Sequence, residues 1–80
     1  MHELGILYNI DEQILKVVDD NSLTEVEAIV LQVGESSSVV PEYLHKCFPA
    51  AVDGTLLENT SLEIEMISGR EFIIKEIRAR

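Results

Sequence analysis

Residues 24–33 form a segment rich in β-branched residues that is apolar on both sides near its middle. Successive side chains of a strand point to opposite faces. One face carries Ile29, Leu31 and Val33, and the other carries Val26, Ala28 and Val30. A strand that is apolar on two sides must be covered on both of them. The segment therefore predicts either a central strand or a strand whose second face is covered by another chain.

An amphipathic helix is predicted for residues 3–20, because apolar residues recur there at steps of three and four. These residues are Leu7, Ile10, Ile14, Val17 and Val18. Polar residues between them predict a solvated face made of Asp11, Glu12, Gln13, Lys16 and Asp19.

A second helix is predicted to open near Pro41, since proline is well suited to a first helical turn. Its apolar stripe is formed by Tyr43, Leu44, Cys47 and Phe48. Pro49 removes a helical hydrogen bond, so we expect the helix to bend or end near Phe48, unless residues 50–52 resume it.

Two further strands are predicted, at residues 62–66 and 71–77, with Ser68-Gly69 as a tight reversal that closes them as a hairpin. Phe72 and Ile74 share a face, and Ile77 is out of phase with them unless a bulge lies near Lys75-Glu76. The predicted fold class is α+β: two helices packed on a three-stranded mixed β-sheet, in the order α-β-α-β-β.

Length and charge limit the possible functions. Eighty residues make one small domain, and its longest apolar runs are too short to cross a bilayer. No signal peptide is recognised, and the single cysteine fits a reducing cytosol. A net charge of −9 argues against a nucleic-acid partner and is compatible with a cation or a basic protein.

The first three residues, Met1-His2-Glu3, carry the main candidate site. A histidine at position 2 can chelate a metal through the α-amine, its own backbone nitrogen and a ring nitrogen, and Glu3 can add a carboxylate or an amide nitrogen. Such a nitrogen-rich, tetragonal donor set suits Ni(II) or Cu(II). The alternative is a terminus that frays in solvent.

Other candidates have simpler explanations. His45 is expected to be an exposed helix residue rather than a nickel ligand, and Cys47 a buried thiol. Glu63 and Glu65 share a strand face, as paired catalytic acids do, but solvated carboxylates account for them equally well. No phosphate-binding loop or nucleophile motif is recognised, so no enzyme activity is predicted.

An ordered series of motifs then resembles the HypA family of nickel-insertion proteins for [NiFe]-hydrogenase and urease. The series runs through Met1-His2-Glu3-Leu4-Gly5-Ile6, Val33-Gly34-Glu35, Val39-Val40-Pro41-Glu42, Leu44, Phe48, Gly54-Thr55-Leu56, Leu62-Glu63-Ile64-Glu65 and Ile67-Ser68-Gly69-Arg70-Glu71. It covers nearly the whole chain, so residues 1–80 are interpreted as one HypA-like nickel-binding domain.

The chain departs from the family pattern between about residues 65 and 67. The family has a zinc-binding segment with two CxxC pairs at this place, whereas Glu65 here runs directly into Met66-Ile67. One cysteine and two distant histidines cannot supply a tetrahedral zinc site, so no zinc is expected.

The resemblance implies that His2 is the key nickel ligand, with the Met1 amine contributing and Glu3 assisting. It implies a cytoplasmic metallochaperone module that holds Ni(II) for delivery, with the GTPase HypB and a hydrogenase large-subunit precursor as partners. The alternative function is a metal-independent interaction module, such as a homodimer through the exposed strand face. Under that alternative, a charge at Val30 should disrupt assembly, and His2→Ala should change nothing.

Overall fold

The computed structural model describes residues 3–80 as two helices and three strands in the predicted order. The helices are α1 (Glu3–Asp20) and α2 (Pro41–Val52). The strands are β1 (Val26–Gly34), β2 (Ser61–Ile67) and β3 (Phe72–Ala79). The α+β fold class and the α-β-α-β-β order are therefore confirmed.

The sheet order is β2-β1-β3, with β1 parallel to β2 and antiparallel to β3. The sheet is thus mixed, and β1 is its central strand, as the apolar character of both its faces predicted. Parallel neighbours need a long connection, and α2 lies within the connection from β1 to β2.

The predicted hairpin between β2 and β3 is wrong, because these strands lie on opposite sides of β1. Their connection instead passes the carboxyl end of β1, where Glu35 N–H donates to the Ile67 carbonyl at 2.7 Å and Gly34 N–H donates to the Glu71 carbonyl at 2.7 Å. A Cβ atom on Gly34 would lie 2.8 Å from the Gly69 carbonyl carbon, so glycine allows this close crossing. The Ser68-Gly69 turn signal was real, but a turn does not determine which strand its neighbours pair with.

The core lies between the helices and one face of the sheet, here called the inner face. It contains Leu7, Ile10, Ile14 and Val18 from α1, Val26, Ile29, Leu31 and Val33 from β1, and Leu44, Phe48, Ala51 and Val52 from α2. The predicted place of Val26 on the other face is wrong, because Glu27 is an extra residue between Val26 and Ala28 and shifts the alternation of the strand. Four of the five apolar residues that predicted α1 are thus buried, while Val17 is 41% exposed.

The predicted bulge in β3 is present at Lys75. Leu31 pairs with Ile74 and Val30 pairs with Glu76, so Lys75 is the extra residue. The bulge returns Ile77 to the inner face, where it packs against the core with Ile74. It also places Lys75 and Glu76 together on the opposite face.

That opposite face of the sheet, here called the outer face, has no helix on it among the described elements, yet its centre is buried. Val30 is 3% exposed and is flanked by Glu63 of β2 and Glu76 of β3. The Arg78 guanidinium contacts both glutamates, at 2.6 Å and 3.7 Å. The stems of such long charged side chains cover apolar surface while their ends stay in water.

Pro49 does not end α2, which was one of the two outcomes that the sequence left open. The helix continues to Val52. Pro49 and His45 are both exposed. The His45 carbonyl that Pro49 cannot bond therefore lies on the side of the helix that water reaches. Within residues 3–80, neither helix is long and apolar enough to cross a membrane.

Candidate functional site

Glu3 is the described residue of the predicted metal-binding terminus, and it is 5% exposed. Its Oε2 atom accepts a hydrogen bond from Val40 N–H at 3.3 Å. Val40 is the N-cap residue of α2, and its carbonyl accepts hydrogen bonds from Tyr43 and Leu44 of the first turn. The positive end of a helix favours a carboxylate nearby. The Glu3 side chain thus ties the first turn of α1 to the start of α2.

The other two predicted ligands, Met1 and His2, lie outside the described residues. Their proposed role as nickel ligands, and that of Glu3, stays a prediction. Among residues 3–80, no group of three or more His, Cys, Asp or Glu side chains is arranged to hold a metal ion.

Other sequence candidates lie on α2. His45 is exposed on α2, as expected. Cys47 is only partly buried and packs against the core, so the expectation of a buried thiol holds in part. Tyr43 was expected on the apolar stripe of α2, but it is 46% exposed and lies at the edge of that stripe.

Glu63 and Glu65 lie on the outer face, and each is paired with a base of β3. Glu65 accepts hydrogen bonds from Lys75 at 3.0 and 3.1 Å and from Gln32 at 3.2 Å. The Lys75 hydrogen bond, followed by that from Gln32, lowers the pKa of Glu65. Both carboxylates therefore form ion pairs across the central strand. This pairing accounts for Glu63 and Glu65 without a catalytic role.

Sequence reasoning placed Asp11 on the solvated face of α1, and this was wrong. Asp11 is 4% exposed, and neither of its carboxylate oxygens has a hydrogen-bond partner among residues 3–80. Burial raises the pKa of the Asp11 carboxyl from 3.8 to about 6. The spacing contained the signal, since position 11 lies four residues after Leu7 and three before Ile14 and so falls on the buried stripe.

Asp11 lies in a groove between α1 and the C-terminal end of α2, with a volume of about 620 Å³. We call this the α1–α2 groove. It is lined by Tyr8, Asn9, Asp11, Glu12, Leu15, Ala50, Ala51, Asp53 and Thr55. Among the described residues, its lining contains three acids and no Lys, Arg or His.

The described fold is shared with a nickel-handling protein of known structure. The solution structure of the Ni metallochaperone HypA from Helicobacter pylori matches this chain with a TM-score of 0.73, covering 100% of this chain and 94% of that one. Sequence identity is 15%, so this similarity establishes the α+β architecture alone.

Sequence comparison gives the family. The model of the HypA family, described as hydrogenase/urease nickel incorporation, metallochaperone, hypA, matches residues 1–72. The chain therefore belongs to the HypA family, as its motifs indicated. Metallochaperones are metal carriers rather than enzymes, which agrees with the expectation that the protein is not an enzyme.

Curated relatives carry the same family name. The hydrogenase maturation factor HypA of Methanosarcina mazei is 39% identical over 67 residues, which cover 84% of this chain and 49% of the relative. That of Geobacter sulfurreducens is 40% identical over 70 residues, covering 88% of this chain and 61% of the relative. The chain thus spans about half to three fifths of the length of these relatives.

Proposed function

We propose that residues 1–80 form a nickel-binding metallochaperone module that holds Ni(II) at its N-terminus for delivery during maturation of [NiFe]-hydrogenase or urease. One observation carries the proposal: the match to the nickel-incorporation family begins at residue 1 and so includes Met1-His2-Glu3. The donor chemistry argued from that tripeptide supports it independently, because an amine, an imidazole and backbone nitrogens make a set suited to Ni(II).

The position of Glu3 refines its proposed role. Its carboxylate is buried and accepts a hydrogen bond from Val40 N–H. We propose that the Glu3 side chain holds the first turn of α1 against α2, while the backbone nitrogen of Glu3 serves the chelate. Deprotonation of backbone nitrogens would make nickel binding release protons and strengthen as pH rises.

The partners belong to the proposal as well. By family membership, they are the GTPase HypB and a hydrogenase large-subunit precursor, acting in the cytosol. A chelate formed by a chain terminus can be dismantled without unfolding the domain, which suits transfer of the metal. We also propose that this module binds no structural zinc, because Cys47 is its single cysteine.

The test is a Ni(II) titration of untagged protein with a native N-terminus, followed by the d–d absorption band. We expect saturable binding of about one Ni(II) per chain with a tetragonal spectrum. His2→Ala should abolish the signal, and His45→Ala, which changes the exposed histidine of α2, should leave it unchanged. Binding that survives His2→Ala would refute the N-terminal chelate.

Glu3→Gln separates the two roles of Glu3, because the glutamine oxygen still accepts the Val40 hydrogen bond without carrying charge. We expect nickel affinity to change less than about threefold, or roughly 0.6 kcal/mol, because the side chain is proposed to hold α1 against α2 and not to bind the metal. A loss of tenfold or more would make the carboxylate itself a ligand. Circular dichroism of each variant checks that the domain stays folded.

The alternative of a homodimer through the strand face gains no support from the fold. That hypothesis needed an exposed apolar face around Val30, which is instead buried within the chain. A charged residue at position 30 would therefore destabilise the fold whether or not the protein forms a dimer. The nickel titration is the experiment that distinguishes the two functions.

A further inference from the structure

The α1–α2 groove is the one place in the described chain where a buried charged group meets no partner. Both oxygens of Asp11 are inaccessible to solvent and accept no hydrogen bond. Leaving a buried acceptor unsatisfied is costly, and more so for an ionised one. Such a group calls for a donor that residues 3–80 do not supply in this conformation.

The groove around Asp11 combines negative charge with apolar walls. Glu12 and Asp53 add two further acids to its lining, while Leu15, Ala50 and Ala51 supply apolar surface. The exposed ring of Tyr8 stands at the same groove. These features match a side chain with an apolar stem and a cationic head.

We infer that the α1–α2 groove is a docking site for an arginine side chain of a partner protein, whose guanidinium binds Asp11 once the neighbouring side chains that cover the Asp11 oxygens move aside. The planar head of arginine has five N–H donors and can bond both oxygens of one carboxylate, which a lysine ammonium cannot match. Its stem would pack against Leu15 and the alanines, and the Tyr8 ring offers a cation–π surface. The net charge of −9 favours approach of a basic partner.

A metal ion fits the groove less well than a guanidinium. Asp11, Glu12 and Asp53 all line it, yet no group of three acids in the described part of the chain is close enough to coordinate one ion. Binding at this groove is independent of the proposed nickel chelate, so either proposal can fail without the other.

The experiment is NMR titration of the isotope-labelled protein at pH 7.5 with N-acetyl-arginine amide, up to tens of millimolar. The matched probe is N-acetyl-citrulline amide, which has nearly the same shape and no charge. We expect saturable shifts at residues lining the groove with the arginine probe and none with citrulline. In the wild-type protein, the arginine probe should also shift the pKa of Asp11 down toward its ordinary value, a readout that needs no variant.

The matched variants are Asp11→Asn and Asp19→Asn, which remove one carboxylate each from α1, the first buried and the second exposed. Asp11→Asn should weaken binding at least tenfold, and Asp19→Asn should leave it unchanged. Shifts that do not saturate, that survive Asp11→Asn, or that citrulline reproduces would overturn the proposal. Equal shifts with magnesium chloride would also overturn it, because they would show general cation binding.

Discussion

The outer face of the sheet and the α1–α2 groove contain carboxylates in opposite environments. On the outer face, Glu63 and Glu65 are exposed and each lies within 3.0 Å of a basic side chain. In the groove, Asp11 is buried and has no hydrogen-bond partner in the described part of the chain. The pKa of Glu65 is lowered mainly by its hydrogen bond from Lys75, while burial raises that of Asp11.

The difference follows from where the few bases lie in the chain. Three of the six Lys and Arg residues, Lys75, Arg78 and Arg80, belong to the C-terminal segment that includes β3, and all three form ion pairs with glutamates of the sheet region. No base lines the described groove. The glutamates of the outer face therefore have basic partners within the chain, whereas Asp11 in the groove has none among the described residues.

The largest expected effect comes from Val30→Asp, which tests whether the outer face is closed. Val30 is 3% exposed, so the new charge would be buried between Glu63 and Glu76. We expect a loss of about 3 kcal/mol or more in the free energy of unfolding. Urea denaturation followed by circular dichroism measures it.

The control is Ile73→Asp, because Ile73 lies on the same face, pairs with Gln32 and is 38% exposed. Its cost should stay below about 1 kcal/mol, as for most surface substitutions. If Val30→Asp folded with normal stability but changed the oligomeric state, the outer face would be an interface rather than a closed surface.

The parts of this fold that could be predicted are those set by local periodicity. The predicted helix at 3–20 matches α1, and the phase of Ile77 revealed the bulge at Lys75. The strand pairing was missed because it depends on where the chain goes after α2. Ser68-Gly69 marks a turn equally well for a hairpin or for a passage around the end of β1.

Asp11 was missed for a different reason. It was assigned to solvent by its residue type, although its spacing from Leu7 and Ile14 placed it on the buried stripe. A carboxylate on that stripe is unexpected unless something binds it, so residue type and periodicity conflicted at the place where we infer a docking site. For the predicted nickel site, by contrast, the sequence supplied only candidate ligands, which stay a prediction because Met1 and His2 lie outside the described residues.

The next largest expected effect is a pH dependence of stability caused by Asp11. Its pKa is about 6 when folded and 3.8 as the ordinary value. The folded state therefore binds the proton more tightly, and stability contributed by protonation is full below pH 4 and is lost as pH rises through 6. The contribution amounts to about 3 kcal/mol, from 1.36 kcal/mol for each pKa unit.

Asp11→Asn should remove this slope, which chemical denaturation at a series of pH values from 4 to 7.5 would measure. The charged groups that line the groove with Asp11 are Glu12 of α1 and Asp53 after α2, and the Tyr8 side chain lines it as well. Asp19→Asn provides the comparison curve, because it removes an exposed acid from the same helix. An equal slope in Asp11→Asn and the wild type would show that Asp11 is not buried in solution.

The smallest expected effect distinguishes two contributions of Arg78 to the outer face: its ion pairs and the apolar surface that its side-chain stem covers. Arg78→Ala removes both the ion pairs with Glu63 and Glu76 and the side-chain stem of the residue opposite Ala28, and should cost about 1 kcal/mol. Arg78→Met keeps an apolar stem and should cost about half as much or less, because ion pairs between exposed side chains contribute little. Urea denaturation at low and high salt measures both variants.

If the two Arg78 variants lost equal stability, and high salt removed that loss, charge pairing would be what closes the outer face. The apolar centre of the outer face would then lose its cover at high ionic strength, because salt screens ion pairs between exposed side chains. If Arg78→Ala stayed the more destabilised variant at every salt concentration, the stem would be the cover. The outer face would then resemble the walls of the α1–α2 groove, where apolar surface and charge also meet, except that the groove lacks its own arginine.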